Sequence, residues 1–333
     1  MYRIVLLLSL AISAGVLAGC GNQAKQEIVS KPVGSVEKLG QETAFPRIYT
    51  DAKGHAVFIE KKPERIAIMF FHLADSMFIL NTPPVATPQL QGFLSEWESL
   101  KPHLAANLVI DLGRQTSTNL EKVLEIQPDL IIGGILNEGM YDELSMIAPV
   151  ALLDTRELAG DWREVPREVA KIIGQEQLAE QRIIEIEILI EQARAKLAPY
   201  KNETVAIITL DDKGNFNIYG TQSLPAFYNA ENGLGLSAPA GYPAKIGRIS
   251  LERLADLNPD HIFLKKNKGI EARLARLRDN SIWNALQAVK QGNVYFLDQS
   301  VFSVGALAVE YGVNSVAESL INNSTNRAQA PVQ

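Results

Sequence analysis

Two glutamates occupy matching positions in an internal repeat, and their spacing suggests electrostatic recognition of a partner. Residues 119–129 (NLEKVLEIQPD) recur 131 positions later as residues 250–260 (SLERLADLNPD), and an apolar run follows each copy. In both copies a capping Asn or Ser can begin a short helix, which a proline ends. Glu121 and Glu252 fall in the first turns, where a carboxylate stabilises the helix dipole by about 0.3–1 kcal/mol. Because both copies carry it, the pair predicts a two-point docking surface for a basic partner.

Sequence motifs for covalent or redox chemistry are missing. The chain contains no Gly-x-Ser-x-Gly elbow, no Walker A loop and no dinucleotide-binding glycine fingerprint. The adjacent acids Asp211 and Asp212 precede Lys-Gly-Asn, a sequence typical of a turn between strands. We therefore expect no catalytic residues and no enzymatic activity. An exported hydrolase is the alternative, and it would need catalytic residues that only the fold brings together.

The histidines do not predict a site for a bare metal ion. None of them forms a close cluster with Asp or Glu at metal-ligand spacing. The single cysteine excludes internal disulfides and cysteine-based zinc or iron-sulfur centres. His261 enters a predicted buried strand, so we expect it in the core. The four histidines are His55, His72, His103 and His261.

Length and charge bound the possible partners. The chain has 333 residues, enough for two domains, and 47% of them are hydrophobic. Its 32 basic and 38 acidic side chains give a formal charge of -6. A nucleic-acid-binding protein would instead concentrate Lys and Arg on one face. Nucleic acid is therefore excluded as the main partner.

The first residues have the pattern of an export signal. Arg3 precedes an apolar run from Ile4 to Leu17, which is shorter than the roughly 20 residues that a membrane-spanning helix needs. The Leu-Ala-Gly-Cys box that ends at Cys20 resembles a bacterial lipoprotein signal. This resemblance implies that residues 1–19 are removed as a signal peptide and that Cys20 carries a lipid. An ordinary secretory signal is the alternative. Residues 20–45 are polar and without periodicity, so we expect them to form a flexible tether.

The remaining chain alternates strand-like and helix-like segments. Short apolar runs separated by helix-length segments are typical of β-α units around a mainly parallel sheet. We predict an N-terminal α/β lobe at residues 46–160 and a C-terminal α/β lobe at 175–325. A connecting helix at 161–174 joins them, and a disordered tail follows at 326–333. The next segment, which runs from Gly174 to Leu197, could form a strand because its isoleucines alternate. Its Ala, Gln and Arg content instead favours a helix.

Several motifs together resemble those of iron-siderophore substrate-binding lipoproteins of ABC importers, the ferric hydroxamate-binding type included. The resemblance covers about Pro46 to Leu320 and rests on the lipidation box, residues 62–67 (KPERIA), 111–113 (DLG), 119–121 (NLE) and 250–252 (SLE).

That resemblance implies a two-lobe α/β fold whose mainly parallel sheets are joined by a single long connecting helix. It implies ferric-siderophore capture in the interlobe cleft, small lobe closure and delivery to an ABC permease with its ATPase. It also implies that Glu121 and Glu252 dock onto arginines of the permease. We expect a monomer outside the cytoplasm, held at the cell membrane by its lipid.

The resemblance suggests Arg114 and Phe302 as ligand-binding residues, and the loop before the second repeat helix, which should face the cleft, suggests Tyr242, Lys245 and Arg248. Ferric siderophores are bulky and often anionic, so their pockets need cationic donors and aromatic walls. Val304 stands where relatives can carry an aromatic residue, which leaves the siderophore class open. Haem and corrinoids are alternative ligands for the same fold. The candidate ligand-binding residues are Arg114, Tyr242, Lys245, Arg248 and Phe302.

Overall fold

The computed structural model describes residues 45–91, 94–158, 160–303 and 305–329, with side chains described as far as residue 323. The predicted signal peptide, Cys20, the tether up to residue 44 and Val304 lie outside the described residues. The strands are β1 Arg47–Thr50, β2 Ala56–Ile59, β3 Ile66–Ile68, β4 Ala86–Thr87, β5 Ile110–Asp111, β6 Leu130–Gly134, β7 Val150–Leu153, β8 Val205–Leu210, β9 Phe216–Ile218, β10 Gly247–Ile249, β11 His261–Lys265 and β12 Val294–Leu297.

Helices fill most of the intervals between these strands. Short 3-10 turns precede several of them, among them Phe71–Leu73, Gln115–Ser117 and Gln299–Phe302. The α-helices are α1 Ala74–Ile79, α2 Lys101–Ala106, α3 Leu120–Ile126, α4 Tyr141–Ser145, α5 Thr155–Leu158, α6 Glu164–Ile173, α7 Glu176–Leu197, α8 Pro225–Tyr228, α9 Leu251–Leu257, α10 Ile270–Ala275, α11 Ser281–Ala285, α12 Gln287–Lys290 and α13 Ala306–Gln329.

The N-terminal lobe is built on a five-stranded parallel sheet. Its strand order is β5-β4-β3-β6-β7, and every neighbouring pair is parallel. All residues of β3, β6 and β7 are buried, as expected for strands that helices cover on both faces. The β1-β2 hairpin precedes this sheet, with Thr50 opposite Ala56.

The C-terminal lobe carries the second sheet, in the order β10-β9-β8-β11-β12. Strands β8, β11 and β12 are parallel, whereas β9 and β10 are antiparallel additions at one edge. The acidic pair predicted to form a turn does so, because Asp211 Oδ1 accepts hydrogen bonds from the Lys213 and Asn215 amides at 2.9 and 2.8 Å. The predicted fold class, two mainly parallel α/β lobes, is confirmed.

Two consecutive helices connect the sheets. Helix α6 falls in the predicted connecting segment, and the 22-residue α7 follows it after Gly174, whose φ is +74°. The isoleucines of α7 confirm the helical interpretation of this segment. Ile183, Ile186 and Ile190 are buried, whereas Ile184 and Ile188 are about half exposed. A strand would instead have placed all the even-numbered isoleucines on one face.

The C-terminal helix α13 packs along α7 and also contacts α1 of the N-terminal lobe. It extends to Gln329, so it includes the first residues of the segment predicted as a disordered tail. Residues 330–333 lie outside the described part of the chain.

The repeat predicted from the sequence has the same local structure in both lobes. Helices α3 and α9 each have seven residues, and the Asn119 and Ser250 side chains accept hydrogen bonds from the third amide of their helix, both at 3.1 Å. After each helix an aspartate binds the start of the neighbouring strand. Asp129 accepts from the Arg65 amide at 2.9 Å, and Asp260 accepts from the Thr204 amide at 2.7 Å.

Both repeat helices end with a residue in the left-handed conformation, but that residue is a glutamine in one and an asparagine in the other. This difference can be tested. Gln127 has φ 50° and Asn258 has φ 40°. Because glutamine tolerates this conformation poorly, Gln127→Gly should raise the free energy of unfolding by about 0.5–1 kcal/mol. Asn258→Gly should give no gain, since Asn tolerates the conformation and its Oδ1 accepts from the Gln287 amide at 2.9 Å. Equilibrium urea unfolding compares the two variants, and equal effects would contradict the expectation.

A buried aspartate joins the two lobes. Asp75 of α1 is fully buried, and its carboxylate oxygens accept hydrogen bonds from the Leu307 and Ala308 amides at the start of α13, both at 3.0 Å. The preceding Gly305 leaves room for this contact, because a Cβ there would lie 2.0 Å from Asp75 Cγ. The segments on either side of this contact carry the residues of the cleft described next.

Candidate functional site

The cleft lies where the two lobes face each other, at the carboxyl ends of the central parallel strands. The 3-10 turn with His72 follows β3, Lys265 ends β11, and the turn with Phe302 follows β12. Open α/β sheets place their ligands at these carboxyl ends. The lobes meet here directly, because His72 Nδ1 lies 3.2 Å from Ser303 Oγ.

Aromatic rings form the N-terminal wall of the cleft. Phe71 and His72 are stacked at an angle, with ring centres 4.0 Å apart, and Phe70 lies 5.3 Å from His72. The buried ring of Trp97 supports this group at 5.8 Å from His72. Such rings supply a large apolar surface for an organic ligand.

A lysine and two rings form the opposite wall. Lys265 Nζ lies 4.8 Å from the centre of the Phe302 ring, within the range of a cation-π interaction, and Tyr219 lies 4.5 Å from the same ring. Burial lowers the pKa of Lys265, and nearby Asp298 raises it only in part. The ammonium is therefore held in a partly apolar environment.

His72 is held in its neutral form. Burial, and to a lesser extent the positive charge of Lys265, lower the pKa of His72 to about 4. At neutral pH its ring can therefore donate one hydrogen bond and accept another. Within the described residues, Ser303 is its polar partner.

A polar cavity of about 460 Å³ opens between the lobes beside this cluster. It adjoins the cleft along the chain, since Lys266 follows Lys265, and Asp298 begins the turn that carries Phe302. Its volume falls in the range of small-molecule sites. The lining residues are Glu96, Glu98, Lys101, Lys266, Asn267, Lys268, Gly269, Glu271, Asp298 and Gln299.

The sequence-predicted ligand residues fall in different places. Phe302 lies within the cleft cluster. Arg114 is exposed and makes no ion pair with a described residue, but its neighbour Gln115 accepts a hydrogen bond from the Phe71 amide at 3.2 Å. The loop of Arg114 therefore adjoins the aromatic wall. Its role as a ligand contact stays a prediction.

The other three candidates lie on the loop and edge strand before α9. The Tyr242 hydroxyl accepts from the Ile207 amide and bonds the Tyr219 carbonyl, both at 3.0 Å, and burial raises its pKa to about 12. Its hydroxyl therefore serves the interior of the lobe. Lys245 is exposed, and Arg248 is exposed with an ion pair to Asp211 at 3.7 Å. Ligand contact by these three residues stays a prediction.

The two repeat glutamates are exposed at equivalent helix N-termini. In a β-α-β arrangement the helix runs opposite to the strands, so each N-terminus lies toward the carboxyl edge of its sheet. Hydrogen bonds from its own amide and from the Ser250 hydroxyl lower the pKa of Glu252. Both side chains are available on the side of the molecule where the cleft lies.

Sequence patterns alone did not single out His72, Lys265 or Tyr219. Lys265 directly follows the apolar run of the second repeat copy, and His72 follows the first apolar strand of its lobe. Their position just beyond buried strands is the signal that could have identified them.

The part of the chain that the structure describes holds no group of three or more His, Cys, Asp or Glu side chains able to bind a metal ion. No helix among these residues has the length and apolar character to span a bilayer. His261 is 3% exposed and contacts Glu203 and Tyr295, as expected for a core residue.

The fold and cleft define a two-lobe α/β binding protein. The periplasmic binding protein family model matches residues 92–301, and the chain belongs to this family. The probable siderophore-binding lipoprotein YfiY of Bacillus subtilis is 25% identical over 81% of this chain and 86% of its own. The iron(3+)-hydroxamate-binding protein YxeB of the same organism is 28% identical over 87% of this chain and 90% of its own.

Solved structures show the same fold. The triscatecholate siderophore-binding protein FeuA of Bacillus subtilis, complexed with ferri-bacillibactin, matches with a TM-score of 0.66. Its sequence is 23% identical, and the match covers 84% of this chain and 99% of that one.

Proposed function

We propose that this protein captures a ferric siderophore in its interlobe cleft and delivers it to the permease of an ABC importer. The observation that carries the proposal is the cluster of Lys265, Phe302 and His72 where the lobes meet. A cation and aromatic rings suit the oxygen-rich iron centre and the organic scaffold of such a ligand. The names of the relatives, which refer to siderophores and iron hydroxamates, support it.

Delivery requires a docking surface for the permease, for which Glu121 and Glu252 are our candidates. They carry equivalent charges on the two lobes, so a partner could bind both lobes at once. Their exposure makes the carboxylates accessible to arginines of a partner. The ATPase of the importer would supply the energy, and this chain would bind the ligand without changing it.

The location we propose follows from the N-terminal sequence. Export would be directed by residues 1–19, and a lipid on Cys20 would hold the protein at the outer face of the cell membrane, with residues 20–45 as a tether. We propose that it acts as a monomer, because one chain supplies both walls of the cleft.

Ligand binding can be followed through tryptophan fluorescence. Trp97 touches the aromatic wall, and Trp162 lines a small cavity together with Phe302, so an iron chromophore in the cleft should quench both. We expect saturable quenching of the full chain in detergent by at least one class among ferric catecholates, hydroxamates and citrate. Haem and a corrinoid complete the panel.

Controls separate the alternatives. Iron-free siderophore and ferric nitrilotriacetate should quench weakly, which would exclude recognition of the bare metal. The bound siderophore should be recovered with unchanged mass, whereas a cleaved product would indicate a hydrolase. Saturation by haem or a corrinoid alone would contradict the proposed function.

A further inference from the structure

Lys265 is a cation in the cleft whose charge has no direct partner among the described residues. Its side chain is partly buried, and its ammonium faces the Phe302 ring rather than a carboxylate. Burying an ammonium without a paired anion is costly, and the lowered pKa of Lys265 reflects that cost. A ligand that brings negative charge to this position would relieve it.

Acids on the adjoining elements are committed to other donors. Asp298 accepts hydrogen bonds from the Ser300 amide and hydroxyl at 2.9 and 2.6 Å, and from the Glu98 amide at 3.1 Å. Asp75 binds the start of α13. Glu98 is paired with Lys101 at 2.6 Å. These contacts leave Lys265 to interact with a ligand.

Two further groups beside Lys265 can bond an anion. Ser303 follows the Phe302 ring and carries a hydroxyl in the cleft, and His72 provides a neutral imidazole from the other lobe. Neutral donors beside a cation are the usual composition of an anion site, because they add hydrogen bonds without adding repulsion. The three groups come from β11, from the segment before α13 and from the turn after β3.

We propose that Lys265, His72 and Ser303 form an anion subsite, which makes the cleft selective for ferric complexes with net negative charge over cationic ones. Catecholate and citrate-type complexes carry such charge, whereas the ferric complex of desferrioxamine B is cationic. The inference rests on the proposed function and names the ligand class of the same cleft. Because the subsite spans both lobes, an anionic ligand would also hold them together.

The test is a set of binding titrations at fixed ionic strength with ferric enterobactin, ferric citrate and ferric desferrioxamine B. The wild-type full chain should bind the two anionic complexes more tightly. Lys265→Met keeps the length and the contact with the ring, and it should weaken ferric enterobactin binding by about tenfold to a hundredfold, the size of a lost charged hydrogen bond. Lys265→Arg should retain most of the anion preference.

The matched control is Lys290→Met, which removes the same charge from an exposed residue of α12, outside the cleft and the polar cavity. It should change every affinity by no more than about threefold, because exposed charges are screened by salt. Thermal unfolding of the ligand-free Lys265→Met variant should show no loss of stability, since a desolvated cation has been removed.

Equal weakening of all three complexes by Lys265→Met, together with a lower melting temperature, would make the lysine a structural residue and overturn the subsite. A wild-type preference for the desferrioxamine complex would overturn it as well. In both cases the proposed function would stand, because the wild-type chain binds a ferric siderophore. If it bound none of the complexes, the proposed function would fail, and the subsite with it.

Discussion

Iron uptake should fall to background in cells whose only copy of this protein carries Glu121→Arg together with Glu252→Arg. Each substitution replaces an exposed carboxylate by a cation, so arginines on the permease would meet like charge at both docking points. The glutamates lie on helices α3 and α9, outside the cluster of Lys265, Phe302 and His72. Ligand affinity of the purified variant should therefore stay within about threefold of wild type.

The repeat supplies a matched control for this prediction. Glu125 and Asp256 are the equivalent exposed acids one turn further along the same two helices. Reversing both to Arg makes the same change in net charge and places cations near helix C-termini, where they are favourable. Uptake by this control should remain near wild type.

The comparison has two informative failures. Equal loss of uptake in both double variants would mean that net charge, rather than a two-point contact, governs docking. Loss of ligand binding by the Glu121→Arg, Glu252→Arg variant would mean that the glutamates line the pocket or hold the fold together. Single reversals should give intermediate uptake, because one of the two docking contacts would remain.

Asp75→Ala should lower the free energy of unfolding by about 2–4 kcal/mol, the largest stability effect that we expect from a single substitution. The change removes the acceptor of the Leu307 and Ala308 amides and leaves both buried at the start of α13. It also weakens the contact between α1 and α13, which supports the turns that carry His72 and Phe302. Equilibrium denaturation measures the first effect, and siderophore affinity should fall with it.

A conventional helix cap in the same chain serves as the control. Asp154 Oδ1 accepts from the Arg156 amide at 3.0 Å at the start of α5, at a half-buried position. Asp154→Ala should cost about 1 kcal/mol or less. Gly305→Ala should resemble Asp75→Ala, because the added Cβ displaces the carboxylate. If Asp75→Ala and Asp154→Ala had equal effects, the contact between the lobes would contribute nothing beyond capping.

The same carboxyl group should make stability depend on pH. Burial raises the pKa of Asp75 from 3.8 to about 7. The hydrogen bonds from α13 lower this pKa in part, and the negative charge of nearby Glu310 raises it. Between these values the folded state binds a proton that the unfolded state has lost, so this contribution is fully present below pH 3.8 and is lost as the pH rises through about 7. Denaturation of wild type and Asp75→Ala across this range should show the falling component in wild type alone. Parallel curves would contradict it.

Local sequence patterns predicted much of the fold because their physical causes are local. The spacing of apolar residues gives the central strands and the buried face of α7, and the capping Asn119 and Ser250 begin the two repeat helices where expected. The short strand β4 was not predicted, since two residues carry too little periodicity to identify a strand.

The candidate site was predicted only in part. Phe302 was predicted from the family resemblance and the glutamates from the internal repeat, whereas Lys265 and His72 lie outside any motif. Tyr242 was selected for its aromatic ring and its loop, but the structure directs its hydroxyl to the backbone of β8 and β9. Whether a side chain faces the cleft or the interior depends on how the loop packs, and no periodicity encodes that.

The sequence by itself determined the α/β class, the duplicated helix-strand unit with its matched glutamates, and the family resemblance. The first two follow from caps, turns and apolar spacing over a few neighbouring residues, and the resemblance follows from the order of several short motifs. The tertiary structure alone decided the cleft. It brings His72 to Ser303 and Lys265 to Phe302, and it sets Asp75 against α13, across separations of up to 233 positions. Such contacts depend on the packing of both lobes at once, and burial then lowers the pKa values of Lys265 and His72 and raises that of Asp75.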